Sequence, residues 1–126
     1  MSASNKRSGQ WLIATGILHN AVGVGMGFDI LKKIAWSGFF NAVDPHFDRM
    51  AIFWFLFSGF AIMMWGQLLL SMTTIPRGFA WSLLALSLVG VVMMPASGFW
   101  LVLPQALWML RQGAEPPQLP HREGSV

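Results

Sequence analysis

The chain has 126 residues, of which 55% are hydrophobic and only 10% are charged, and its mean hydropathy is +0.56. Because a soluble domain typically carries about 25% charged residues to keep its surface hydrated, this composition predicts that membrane lipids surround most of the protein. The absence of cysteine excludes disulfides, thiolate nucleophiles and Cys-ligated metal sites. The net charge of +3 comes from dispersed Lys and Arg residues rather than from the basic stripe of a nucleic-acid-binding protein, so no nucleic acid is expected as a partner.

The first predicted membrane span covers residues 11–28 and follows Lys6 and Arg7, in the way that the apolar part of a signal peptide follows its charged start. It is longer than the usual apolar region of a signal peptide, and it contains His19 and Asn20. It is also followed by further hydrophobic segments instead of a polar mature domain. We therefore expect it to be a retained transmembrane helix.

The connection 29–49 mixes apolar and charged residues, which suits a membrane interface. Its apolar positions Phe28, Leu31 and Phe39 recur at roughly helical spacing, so part of it is predicted to be an interfacial helix. Pro45 disfavours helical structure in the residue before it, and this predicts that the second membrane helix begins after the proline.

Three more spans are predicted at 51–70, 79–94 and 98–111. The span 51–70 contains no charged residue, and its twenty residues reach across a hydrocarbon core of about 30 Å. The turn 71–78 contains Thr, Pro and Gly, which break a helix. The fourth span is short and contains Pro104, so three spans with a long kinked last helix stay open as the alternative.

The sequence thus predicts an all-α, polytopic membrane protein, with a four-helix transmembrane bundle in residues 1–112. Residues 113–126 contain three prolines and no apolar period, which predicts a disordered tail. Basic residues concentrate on the cytoplasmic side of membrane proteins, and their distribution here places both termini in the cytoplasm. The residues on the predicted inner side are Lys6, Arg7, Arg77, Arg111 and Arg122, and those on the outer side are Lys32, Lys33 and Arg49.

Small and polar residues share one face of the first predicted helix. Gly16, Gly23 and Gly27 fall within the same arc as His19 and Asn20 at about 100° per residue. Glycines allow a neighbouring backbone to approach closely, whereas an imidazole and a carboxamide at membrane depth need hydrogen-bond partners. The candidate partners on the later helices are Ser58, Gln67, Ser82 and Ser87.

His19 has two interpretations. An ionisable residue inside a membrane suggests a proton relay, a haem or metal ligand, or a contact to a polar headgroup or quinone. The alternative is a neutral imidazole that hydrogen-bonds between helices, and we favour it because no second His or carboxylate lies in the other predicted spans. No metal site and no cofactor are therefore predicted.

Asp44, His46 and Asp48 form a candidate site in the outer connection. Two carboxylates and an imidazole within five residues can bind a cation or exchange protons. A solvated turn explains the same residues, with the negative charge of Asp48 close to the N-terminus of the second span, where it favours the helix dipole. We favour the turn.

Four stretches of the chain, 16–23, 38–41, 53–55 and 94–100, resemble a family of small bacterial four-helix inner-membrane proteins of unknown function. The resemblance extends over residues 11–111 and implies the four-span architecture and the inner membrane as the location. It implies no activity, substrate or cofactor.

These observations predict a non-enzymatic membrane protein that self-associates, or docks on a larger membrane partner, through its glycine face. The alternative is a membrane-embedded binder or enzyme for a small lipophilic molecule. Its binding site would contain His19 and Asn20 inside the bundle, and Asp44, His46 and Asp48 would lie at the outer entrance of that site. A transporter ranks third because a single ionisable group in the spans leaves little to drive coupling.

Overall fold

The computed structural model describes residues 3–95 and 98–112, which form four α-helices and contain no strand. The helices are α1 (Ala3–Trp36), α2 (Phe47–Ser71), α3 (Arg77–Met93) and α4 (Phe99–Gln112). The prediction of an all-α fold with four helices is confirmed. The predicted tail 113–126 lies outside the described residues.

The helix α1 is much longer than the predicted span 11–28, because it also includes the polar residues before that span and the first part, 29–36, of the interfacial connection after it. No proline interrupts residues 3–36, and an ion pair of 2.7 Å between Lys32 and Asp29 links successive turns near its end. The helix ends at Trp36, and the next residues include Gly38 with a φ of +84° and Phe39 with a φ of +62°. These left-handed conformations cannot continue a right-handed helix.

The helices α3 and α4 are separate, which corrects the alternative of one long kinked helix. The ring of Phe99 lies directly against Gly90, at a place where any Cβ atom would collide with it. The indole Nε1 of Trp100 donates a hydrogen bond of 2.8 Å to the carbonyl oxygen of Pro95. The missing side chain at Gly90 therefore allows α4 to fold back closely onto α3.

The bundle consists of two helical hairpins, α1 with α2 and α3 with α4, which meet mainly through α1 and α4. Although α2 and α3 are consecutive, their backbones do not approach each other closely within the described ranges. A small apolar core joins the hairpins. It contains Leu12, Leu69, Ala80, Leu83, Val102, Ala106 and Met109.

The α3–α4 hairpin lies beside only one half of the α1–α2 hairpin. The amide of Gln105 donates a hydrogen bond of 2.8 Å to the carbonyl oxygen of Ser8, and Leu101 lies on a groove beside Leu18. The turn between α3 and α4 is thus level with about residues 16–19 of α1, and α1 continues for about 26 Å beyond that level. We call 3–18 with 60–71 the covered half of the α1–α2 hairpin, and 19–36 with 47–59 its bare half.

Candidate functional site

The glycine face of α1 packs directly on α2. A Cβ atom on Gly16 would lie 2.8 Å from the carbonyl oxygen of Gly59, and one on Gly23 would lie 2.7 Å from the ring of Phe55. At Gly27 it would collide with the side chain of Ile52. All three predicted packing glycines therefore stand where α2 leaves no room for a side chain, because its backbone lies against Gly16 and its side chains lie against Gly23 and Gly27.

The glycine face is the surface that we expected to receive a second copy or a larger partner. In the structure, α2 of the same chain occupies it. The reason is that α2 carries its own glycines, Gly59 and Gly66, seven residues apart and therefore on one face. Gly66 lies against Gly9, and Gly59 lies against Gly16, so the two helices match each other along the whole contact.

His19 and Ser58, two residues of the predicted intramembrane site, are hydrogen-bonded to each other. The Nε2 atom of His19 lies 3.2 Å from the hydroxyl of Ser58 and 3.0 Å from the carbonyl oxygen of Phe55. The Ser58 hydroxyl itself donates to the Phe55 carbonyl over 2.7 Å. Because the Phe55 carbonyl oxygen can only accept, Nε2 of His19 carries a hydrogen and is the donor.

The imidazole of His19 also stacks on the ring of Phe55, with 3.9 Å between the ring centroids and 12° between the planes. It is therefore held by a ring contact and by hydrogen bonds, all to one short stretch of α2. This geometry is that of a packing residue between helices, and none of these hydrogen bonds uses Nδ1.

Asn20 is the unusual residue of this site. Both polar atoms of its amide are buried, and neither has a hydrogen-bond partner among the described residues. Its carboxamide fills the space over Gly59, where a Cβ atom would collide with it and would also lie 2.9 Å from Cδ2 of His19. A buried polar group without a partner costs about 1 to 3 kcal/mol, so the amide is a local source of instability.

Gln67, Ser82 and Ser87 were predicted as alternative partners, and the structure does not bring them to His19. Gln67 is exposed. At about 100° per residue it lies about 180° around α2 from Ser58, so only one of the two can face His19. The hydroxyls of Ser82 and Ser87 instead donate to carbonyls one turn earlier in α3, over 2.9 Å to Gly78 and 2.6 Å to Leu83.

Gln105 in α4, which is 1% exposed, is a buried polar residue that sequence reasoning missed. Its Nε2 atom reaches the Ser8 carbonyl of α1, whereas its Oε1 atom has no partner among the described residues. The sequence does indicate that Gln105 is buried, because it shares a helical face with the apolar residues Val102 and Met109.

The outer-loop residues Asp44, His46 and Asp48 are exposed. His46 is the N-cap residue of α2 without a capping side-chain hydrogen bond, and Asp48 lies in the first turn. Within 3–95 and 98–112, no three His, Asp or Glu side chains come together in a way that could hold a metal ion. The arrangement is that of a turn preceding a helix.

Arg49 holds this connection in place. Its guanidinium donates a hydrogen bond of 2.6 Å to the carbonyl oxygen of Ala42 and one of 3.1 Å to the hydroxyl of Ser37. The cation therefore joins the start of α2 to the residues that follow α1, and it satisfies a loop carbonyl that no helix would satisfy.

No curated protein and no solved structure matches the chain significantly. The sequence profile of a family of unknown function, DUF6463, matches residues 3–116, a range that includes all four helices. This family brings no catalytic residue, ligand or cofactor that could be transferred to the chain. The expectation of an uncharacterised family is confirmed: the chain belongs to the DUF6463 family.

Proposed function

We propose that the protein is an integral membrane helical bundle with a structural or interaction role, in which α1 and α2 cross the bilayer. The observation that carries this proposal is the outward position of the apolar side chains. Two helices are long and apolar enough to cross a membrane, and only 17% of the most apolar 18-residue window of α2 is buried inside the protein. The core helix of a soluble protein would be mostly buried.

The contacts between α1 and α2 support a placement in which both helices span the same hydrocarbon core. Gly27 lies against Ile52 near one end, and Gly9 lies against Gly66 and Leu70 near the other. The uncharged stretch 51–70 is about 30 Å long, which is the thickness of a hydrocarbon core. With this placement, His19 and Gly59 lie near the midplane of the bilayer.

For α3 and α4 we propose a re-entrant hairpin instead of two full crossings. They have 17 and 14 residues, or about 26 and 21 Å, and their turn is level with the middle of α1. A turn at that depth needs internal hydrogen bonds. The bond from Trp100 to the Pro95 carbonyl and the bond from the Met94 amide to the Gly90 carbonyl supply two of them.

The α1–α2 connection has the character of a membrane-interface anchor. The side chains of Trp36 and Phe40 are 87% and 94% exposed, and Phe39 and Phe47 are also largely exposed. Lys33 lies in the last turn of α1, directly before this connection. Exposed aromatic rings next to basic residues are stabilised at the headgroup level of a bilayer.

The distribution of basic residues supports an orientation with both termini in the cytoplasm, and the family resemblance implies the bacterial inner membrane. A re-entrant α3–α4 hairpin keeps both termini on one side, as four crossings would. The two arrangements differ only in the depth that the α3–α4 turn reaches.

Single-cysteine variants test this proposal, because the natural chain has no cysteine. We expect a membrane-impermeant maleimide to label Asn41→Cys from one side of sealed vesicles and Lys6→Cys from the other. Gly98→Cys has open space around the new side chain, and it should react only after detergent is added. Labelling of Gly98→Cys from the same side as Asn41→Cys would establish four crossings. Recovery of all three variants in the soluble fraction would refute membrane insertion.

The second candidate function is binding of a small lipophilic molecule at His19 and Asn20. The specific observation in its favour is the buried Asn20 amide, which has no hydrogen-bond partner among the described residues, beside a histidine whose Nδ1 takes no part in the hydrogen bonds to α2. Mass spectrometry of small molecules that co-purify with the protein tests it. A compound lost from His19→Ala while thermal stability stays unchanged would favour binding, and a Soret absorption band would identify that compound as haem.

A further inference from the structure

An open groove of about 580 Å³ runs between α1 and α4 on the outside of the covered half. Along α1 its lining runs from Arg7 and Gln10 to Leu18, and Leu101 lines it from α4. The remaining lining residues are Trp11, Ala14 and Thr15.

The length and polarity of the groove match one leaflet of a bilayer. From Arg7 to Leu18, α1 rises about 17 Å, and half of a hydrocarbon core is about 15 Å thick. The polar end is next to the predicted headgroup level, before the apolar stretch of α1 begins at Trp11. The apolar end is near the midplane, level with the α3–α4 turn. The groove therefore changes from polar to apolar along its length, as a lipid does from its polar headgroup to the end of its acyl chain.

The charge at the polar end favours an anionic headgroup. Arg7 is exposed, and the ion pair found among the described residues, Lys32 with Asp29, is at the far end of α1. The described carboxylates Asp29, Asp44 and Asp48 all belong to the bare half or to the connection above it. No described carboxylate therefore competes with a lipid phosphate for the guanidinium of Arg7.

We propose that this groove is a phospholipid site, in which one acyl chain lies along α1 and an anionic headgroup binds Arg7. The proposal rests on the membrane insertion proposed above. The lipid belongs to the leaflet on the side of the protein termini, since Arg7 lies at that end. Occupancy by the lipid adds packing between α1 and α4, which otherwise meet over a small area.

Native mass spectrometry of the detergent-purified protein tests the site with phosphatidylglycerol and phosphatidylcholine of identical acyl chains. We expect one retained phosphatidylglycerol in preference to phosphatidylcholine. Arg7→Gln should weaken phosphatidylglycerol binding about fivefold, which corresponds to about 1 kcal/mol. Ala14→Trp places a large ring inside the groove and should reduce binding of both lipids.

Lys6→Gln is the matched control, because Lys6 is an exposed cation next in the chain that does not line the groove. It should leave lipid binding unchanged. Equal losses in Lys6→Gln and Arg7→Gln, or equal binding of the two lipids, would overturn the proposed site while leaving membrane insertion intact. A folded monomer in buffer without detergent would instead refute membrane insertion itself.

Discussion

The covered and bare halves of the α1–α2 hairpin share one glycine contact but differ in what surrounds them. In the covered half, Leu12 is 0% exposed because α3 and α4 pack over it. In the bare half, Met26 on the same helix is 80% exposed. The comparison shows that the pairing of α1 with α2 follows from residues within the two helices, whereas burial of their outer surfaces depends on a second hairpin.

The polar groups differ between the halves in the same way. In the covered half, Gln105 reaches α1 from another hairpin and is almost completely buried. At the edge of the bare half, His19 bonds only to its neighbour α2 and stays partly exposed. Changes in the two halves should therefore have effects of different size.

The largest effect is expected from Gly16→Leu, which tests the shared glycine contact. The new side chain would collide with the backbone of Gly59 and with the side chain of Met63, so α1 and α2 must separate. We expect a loss of about 3 kcal/mol in the free energy of unfolding, measured by circular dichroism during denaturation in mixed micelles. Gly25→Leu is the control, because nothing lies near that glycine. Equal losses in both variants would contradict the proposed role of the glycine face.

A smaller effect is expected from Leu12→Ala, which tests the difference between the halves directly. The substitution leaves a cavity where α1 meets the core shared with α3 and α4. We expect a loss of about 2 kcal/mol, the lower end of the range for buried leucines, because lipid is as apolar as the core. Met26→Ala in the bare half should change the thermal midpoint very little. If Met26→Ala costs as much as Leu12→Ala, a partner covers the bare half.

His19→Phe should have an intermediate effect of about 1 kcal/mol. The phenyl ring keeps the stacking on Phe55 but loses the hydrogen bonds to its carbonyl and to Ser58. The thermal midpoint of the purified protein measures the loss. In the double variant with Ser58→Ala, the two losses should be less than additive, because both changes remove the same bond. Full additivity would mean that the histidine and the serine act independently.

The smallest effect is expected from Gln105→Leu, at less than about 0.5 kcal/mol. The variant loses the bond to the Ser8 carbonyl, but it also removes the buried Oε1 atom that has no partner. Because Ser8 lies within α1, its carbonyl keeps the hydrogen bond of the helix, so no buried acceptor is left unsatisfied and the change is nearly neutral. Denaturation in mixed micelles measures the change, and Gln105→Ala serves as the comparison that adds a cavity. A large loss in Gln105→Leu would mean that the amide specifies how α4 docks on α1.

Much of the fold could be predicted from local patterns. Pro45 marked the end of the connection before α2, and the Pro95–Gly98 segment separated α3 from α4. The helix α1 extends beyond the predicted span 11–28, because the charged residues Asp29, Lys32 and Lys33 end the apolar stretch without ending the helix. Charge ends a membrane segment, but it does not end a helix when no proline or left-handed residue follows.

The candidate site was only partly predictable. Helical periodicity identified His19, Asn20 and the glycines as one face of α1, and the structure places Ser58 within hydrogen-bond distance of His19. Periodicity could not choose between Ser58 and Gln67, because both are polar residues on the same helix and the choice depends on how α2 rotates against α1. Periodicity indicates that Gln105 is buried, but it does not predict that its amide donates a hydrogen bond to the Ser8 carbonyl of α1.

By itself, the sequence determined four apolar helices, their separation by proline and glycine, and the side of α1 that carries small residues, because each of these is a local property of the chain. Only the tertiary structure decided that α2 fills the glycine face, that α3 and α4 reach only halfway along α1, and that a groove is left beside Arg7. These features depend on the rotation and relative depth of packed helices, which are set by contacts between residues far apart in the chain.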